Sequence, residues 1–124
     1  MVRFAQAAVL EKIGHPLSIR SIQIPILKKG QVLIKVHYSG VCRSQLMEIH
    51  GGRGEDKWLP HLLGHEGSGV VESIGADVTK VSKGDEVILG WIKGLGFDAA
   101  GAVYNSSEKK INSGSVTTFS NYTI

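Results

Sequence analysis

Apolar and polar positions alternate most clearly in the first third of the chain. Gln6 to Glu11, Leu17 to Ile24 and Val32 to Ser39 read as strands; Leu17 and Ile19, then Ile22 and Ile24, recur at two-residue spacing, and Lys28-Lys-Gly30 forms the turn before the third. Strands joined this closely predict antiparallel sheet. Pro16 and Pro25 fall at strand margins, where a missing backbone donor is least costly, and Gly30 accepts the positive φ of a hairpin turn. From Ser44 to His50 the period changes. Leu46, Ile49 and His50 share one face of a short helix of about two turns, with Ser44 as its cap. Gly51-Gly-Arg-Gly54 ends that helix, and Glu55 to Leu63 is expected as a loop pinned by Trp58, Leu59 and Leu62.

After this loop, Val70 to Ile74 and Asp85 to Leu89 read as strands joined by an extended turn over Gly75 to Gly84. No ten-residue helical pattern alternates with the strands, so a barrel or sandwich fits better than a layered parallel sheet. Beyond Trp91 the pattern weakens. Gly94, Gly96, Gly101 and the polar run Asn105 to Lys110 suggest an irregular lobe containing Lys93, Phe97, Asp98 and Tyr104, and Val116 to Ile124 alternates as a final strand. The chain stops on that strand, and a fragment of a longer protein is the expectation.

The 124 residues suffice for one domain and leave little room for a second that binds a dinucleotide. Sixteen glycines are nearly twice the usual share of about 7%, in keeping with many tight turns. Fourteen Lys and Arg against eleven Asp and Glu give a net charge of +3 without a basic block, so no nucleic-acid partner is expected. One cysteine excludes an internal disulfide framework. The start Met1-Val-Arg-Phe-Ala lacks the apolar run of a signal peptide and no window has the length of a membrane span; a cytoplasmic protein without membrane attachment is expected.

Candidate chemistry concentrates in two glycine-flanked segments. Gly40-Val-Cys-Arg-Ser-Gln45 holds the only cysteine, and 23 positions after that cysteine His65 stands in Gly64-His-Glu-Gly-Ser-Gly69. Thiolate, imidazole and carboxylate are the ligands zinc favours, and catalytic zinc takes three of them beside an open position. Cys42 and His65 supply two. Taken alone, Cys42 also reads as a small buried hydrophobe and His65 as a hydrogen-bonded loop residue.

These segments, followed by Val70-Val-Glu-Ser-Ile-Gly75 and Val81-Ser-Lys-Gly-Asp-Glu-Val-Ile88, resemble the N-terminal part of zinc-containing alcohol dehydrogenases of the medium-chain dehydrogenase/reductase superfamily, across nearly all of residues 5 to 90. The resemblance implies a mainly β fold, a GroES-like partly open β-barrel with short helices, followed in complete members by a Rossmann domain that binds NAD or NADP. No Gly-x-Gly-x-x-Gly unit supplies that domain here; Gly94-Leu-Gly96 reads as a loop. By resemblance, Cys42 and His65 are ligands of one catalytic Zn²⁺, with the family's third ligand beyond residue 124. Glu66 is implied beside the metal, either approaching it or tuning it, against a plain reading in which its carboxylate receives loop amides. Ser44 is implied at the substrate hydroxyl, where a proton relay begins, in competition with its role as a cap. Relatives often continue the relay through a histidine where this chain has Met47, leaving His50 or water as the route. Arg43 matches a position that approaches the cofactor pyrophosphate, although it also reads as a solvated arginine.

Gln45 departs from the frequent aspartate that orders the zinc surroundings. Residues 91 to 124 lack the four cysteines that hold a structural zinc in many relatives, so only the catalytic zinc is expected. Trp58, Trp91 and Phe119 read as core fillers in preference to pocket walls. The implied reaction interconverts an alcohol and an aldehyde or ketone with NAD(P)(H), in a parent enzyme that forms a homodimer or homotetramer; the isolated chain is expected to be inactive. The alternatives are a non-enzymatic GroES-like interaction module and a zinc-free reductase of the same superfamily. An enzyme would pair Cys42 and His65 beside an open cleft, whereas an interaction module would bury or scatter them.

Overall fold

A computed structural model describes residues 2–96 and 98–124. Its elements are β1 (Arg3–Leu10), β2 (Ser18–Ile24), β3 (Val32–Ser39), α1 (Arg43–Ile49), β4 (His61–Leu62), β5 (Glu66–Ile74), β6 (Glu86–Gly90), β7 (Val103–Ser106), β8 (Lys109–Asn112) and β9 (Tyr122–Thr123). Strands β1-β2-β7-β8-β4 close into a barrel, and a second, four-stranded sheet runs β6-β5-β3-β9. The mainly β barrel expected from the sequence is the observed fold, with α1 as the one α-helix among the described residues. None of those residues forms a helix long and apolar enough to cross a membrane.

The barrel core follows the two-residue period of its strands. Ala5, Ala7 and Val9 of β1 point inward, as do Ile22 and Ile24 of β2, and the register pairs Ala5 with Ile22 so that both side chains share the buried face. Ile19 pairs with Ala8 on the opposite face and is exposed, so the alternation begun at Leu17 and Ile19 changes sides before Ile22. Tyr104 of β7 and Ile111 of β8 pair across their hairpin and complete the core with Leu62 and Leu33. The Tyr104 hydroxyl accepts the backbone N–H of Ile124 at 2.9 Å, and burial pushes its phenol above the usual range.

Three expectations change. The polar run Asn105 to Lys110 is a β-hairpin, not an irregular lobe: Ser107 and Glu108 adopt φ of 47° and 67°, the backbone that a two-residue turn requires, while Tyr104 and Ile111 supply the buried faces. Phe97, assigned to the same lobe, lies outside the described residues. The expected strand Val116 to Ile124 reduces to β9 and an isolated bridge from Ser120 to Ala7, because Thr118 and Phe119 donate their N–H groups to the carbonyls of Gly64 and Leu63. Within the loop Glu55 to Leu63, His61 and Leu62 pair as β4 with β1 and β8.

β5 pairs along nearly its whole length with β3 and begins directly after His65. Gly69 faces Val36 there, and a Cβ at Gly69 would run into the Lys35 carbonyl. Gly69→Ala should therefore destabilise the chain by about 1–3 kcal/mol through overpacking, seen as a lower urea midpoint at unchanged slope.

Candidate metal centre

The end of β3 leads through Gly40 and Val41 to Cys42, which is extended (φ −98°, ψ 147°) and caps α1. The expected cap, Ser44, lies inside the helix. The Cys42 N–H donates to Gln45 Oε1 at 2.8 Å, so the third helical residue closes the helix start in place of a serine hydroxyl. This use of Gln45 also overturns the expected apolar face. Gln45 is the buried residue of α1, while Leu46 and His50 are exposed.

On the other side Gly64, at φ +94°, turns the chain into β5 in the left-handed region, where a side chain would be strained and would collide with Thr118. The turn delivers His65 and Glu66. Cys42 Sγ, a ring nitrogen of His65 and a carboxylate oxygen of Glu66 all lie within 4.8 Å of one another. The Ser44 hydroxyl, then the backbone N–H groups of Ser44 and Arg43, hold the Cys42 thiol below its ordinary pKa, against desolvation and the Glu66 charge. The thiolate is the form that ligates. Trp91 stands edge-on to the His65 ring at a centroid distance of 6.4 Å.

The second bond of Gln45 determines the tautomer of His65. With Oε1 taken by the Cys42 N–H, Nε2 faces the ring and donates to His65 Nδ1 at 2.8 Å, so the ring proton resides on His65 Nε2. A metal at Nε2 would displace that proton. A neutral metal-bound ring would carry its proton on Nδ1, and Gln45 would then have to turn Oε1 toward it and release the Cys42 N–H. The donor set fits zinc in kind, with one sulfur, one nitrogen and one oxygen.

The remaining expected site residues divide into two groups. Cys42, Arg43, Ser44, Met47 and His50 line one shallow depression with Val41, so both Ser44 and His50 border the thiol side of the cluster. Behind the cluster, a cavity of about 390 Å³ is lined by Gln45, Glu48, Trp58, His61 and His65. Trp58 and Trp91 are 71% and 66% exposed and do not fill the core; Trp58 lines the cavity and Trp91 flanks His65, while Phe119 is half-buried. Glu48, Asp56 and His61 form a second group of metal-ligating type that no motif in the sequence marks. Its signal was a histidine four positions before His65, but the acidic partners come from elsewhere and share no motif with it.

Residues 28–122 match the family described as Alcohol dehydrogenase GroES-like domain, and the chain belongs to that family, within the zinc-containing alcohol dehydrogenase branch of the medium-chain dehydrogenase/reductase superfamily. An alcohol dehydrogenase of Geobacillus stearothermophilus is 37% identical over 87 residues, which are 70% of this chain and 26% of that protein. An S-(hydroxymethyl)glutathione dehydrogenase of Escherichia coli O1:K1 / APEC is 45% identical over 84 residues, 68% of this chain and 22% of that protein. The crystal structure of benzyl alcohol dehydrogenase from Acinetobacter calcoaceticus superposes with a TM-score of 0.75 at 26% identity, covering 98% of this chain and 38% of that one. The chain spans about a quarter of the length of the curated relatives it matches.

A carboxylate in place of Gln45 accepts from Nδ1–H in the metal-bound ring without an amide rotation. Gln45→Asp should thus tighten zinc binding by about tenfold or more, measured by competition with a chromophoric chelator.

Proposed function

We propose that this chain is the metal-holding catalytic domain of a zinc-dependent alcohol dehydrogenase whose NAD(P)-binding Rossmann domain lies outside the 124 residues. The observation that carries this reading is the convergence of Cys42, His65 and Glu66, with His65 on the wall of the 390 Å³ cavity. An interaction module of the same fold has no need for a cysteine with a lowered thiol pKa beside a histidine. The exposed Ile88, Ile92 and Leu95, close in sequence to Trp91, are consistent with a further domain packing on this side.

In the proposed reaction an alcohol loses a proton from oxygen and a hydride from carbon to become a carbonyl compound, the nicotinamide taking the hydride. Cys42 and His65, with Glu66 as the third donor this chain offers, would hold zinc, which would supply Lewis-acid polarisation of the substrate oxygen. Ser44 accepts the hydroxyl proton, since one hydroxyl both accepts and donates. His50, on the same depression, passes the proton toward solvent in place of Met47, which has no group to carry it. Arg43, exposed at the first position of α1, presents its planar donors to the cofactor pyrophosphate. Trp58 walls the substrate cavity and favours an alcohol with an apolar or aromatic body.

The purified 124-residue chain with zinc, NAD(P) and a panel of alcohols should show no turnover, and robust turnover would overturn the two-domain reading. The complete product of the source gene should oxidise alcohols and lose about a thousandfold or more in kcat/KM on Cys42→Ala. In that protein His50→Gln should displace the pH profile of alcohol oxidation, and an unchanged profile would remove His50 from the relay.

A further inference from the structure

The cavity behind the Cys42 cluster has a second wall of ligand-type residues. His61 lies on β4, Asp56 in the segment that leads to it, and Glu48 near the end of α1. Their side chains are 9%, 10% and 27% exposed, so this is not a surface group of solvated acids. His61 Nε2 stands 2.6 Å from Asp56 Oδ2 and 3.9 Å from Glu48 Oε1. Its Nδ1 donates to the Leu62 carbonyl at 2.8 Å.

We infer that Glu48, Asp56 and His61 form a second, three-ligand site for a divalent transition-metal cation, separate from the Cys42–His65–Glu66 cluster and built entirely from this chain. Three observations converge on it. The first is outer-sphere geometry: a ligating histidine donates its other ring N–H to a carbonyl or carboxylate, and the bond from His61 Nδ1 to Leu62 fixes the ring so that Nε2 points at both carboxylates. The second is spacing. Ligand atoms about 2.0–2.2 Å from a tetrahedral metal sit roughly 3.3 Å from one another. The observed 2.6 and 3.9 Å from His61 bracket that value, and all three ligand atoms lie within 4.8 Å of one another.

The third observation is charge. Among the described residues, no lysine or arginine lies within 4 Å of the carboxylates of Glu48 or Asp56, and the His61 ring is their one partner of basic type. Two carboxylates that face an imidazole leave their charge available to a cation, whereas a pair fixed by a lysine or arginine does not. Glu48 lines both the 390 Å³ cavity and a neighbouring one of about 240 Å³, so the fourth position is open to water. Imidazole with carboxylates suits Zn²⁺, Co²⁺ or Ni²⁺, whereas Mg²⁺ and Ca²⁺ prefer all-oxygen sites.

The test uses the 124-residue chain and Co(II). Cys42→Ala with His65→Asn removes the first cluster, and this double variant should still bind one Co(II) per chain, as read by calorimetry, without a thiolate charge-transfer band. Adding Glu48→Gln, at the most exposed of the three ligands, should weaken that binding about tenfold or more while circular dichroism reports an unchanged fold. In the unsubstituted chain, Zn(II) should shift the His61 Nε2 resonance in a nitrogen NMR spectrum, a readout that needs no variant. A double variant that binds no Co(II), a Glu48→Gln change without effect on affinity, or a His61 resonance indifferent to Zn(II) would each overturn the site. None of these outcomes depends on dehydrogenase activity, so they leave the proposed reaction to its own tests.

Discussion

The side chain of Gln45 is the constraint on which the candidate centre depends. It is buried, and its two ends meet groups that come from different parts of the chain: Oε1 takes the N–H of Cys42 at the helix start, and Nε2 reaches the ring of His65 at the start of β5. An unpaired buried amide costs about 1–3 kcal/mol, so the arrangement in which both ends are satisfied is strongly preferred. One residue thereby caps the helix, orients the ring and ties the thiol segment to the strand that delivers the histidine. The same bonds set the proton on the nitrogen a metal would need, so metal loading and the cap of α1 are linked through one amide rotation.

Around that link the fold divides its work between two sheets. The closed barrel holds most of the apolar core and fixes β4, which places His61. The second sheet fixes β5, which places His65 and Glu66. Between them runs the segment Gly51 to Pro60, anchored by the bond from Asn112 to the Trp58 carbonyl and by the contact of Asp56 with His61. The cavity lies where the two sheets and this segment meet, so each wall answers to a different element. The two groups share supporting backbone, since α1 carries Glu48 and is capped by Cys42, and the stretch from His61 to Glu66 contributes to both.

Much of this was legible in the residues. The two-residue period located β1 to β3, β5 and β6, because each buries one face and exposes the other. The segments around Cys42 and His65 carried the resemblance to the family and brought both residues forward as candidate ligands. Ser44 misled as a cap, because propensity favours serine there while the actual closure came from a glutamine three residues beyond Cys42. Trp58 and Trp91 misled as core, because aromatic size predicts burial only where the topology provides an interior. The β7–β8 hairpin was hidden by its polar residues, which face solvent, with Tyr104 and Ile111 too far apart to form a visible alternation.

The sequence by itself determined the strand pattern, through its local period, and the resemblance to the family, through the motifs around Cys42 and His65, which also named these two as candidate ligands. The tertiary structure alone decided how Gln45 meets the His65 ring and that Glu48, Asp56 and His61 meet at all. Those facts depend on angles and distances between segments far apart in the chain. Such distances are set by how the barrel closes and how β5 lies against β3, and no local period encodes them.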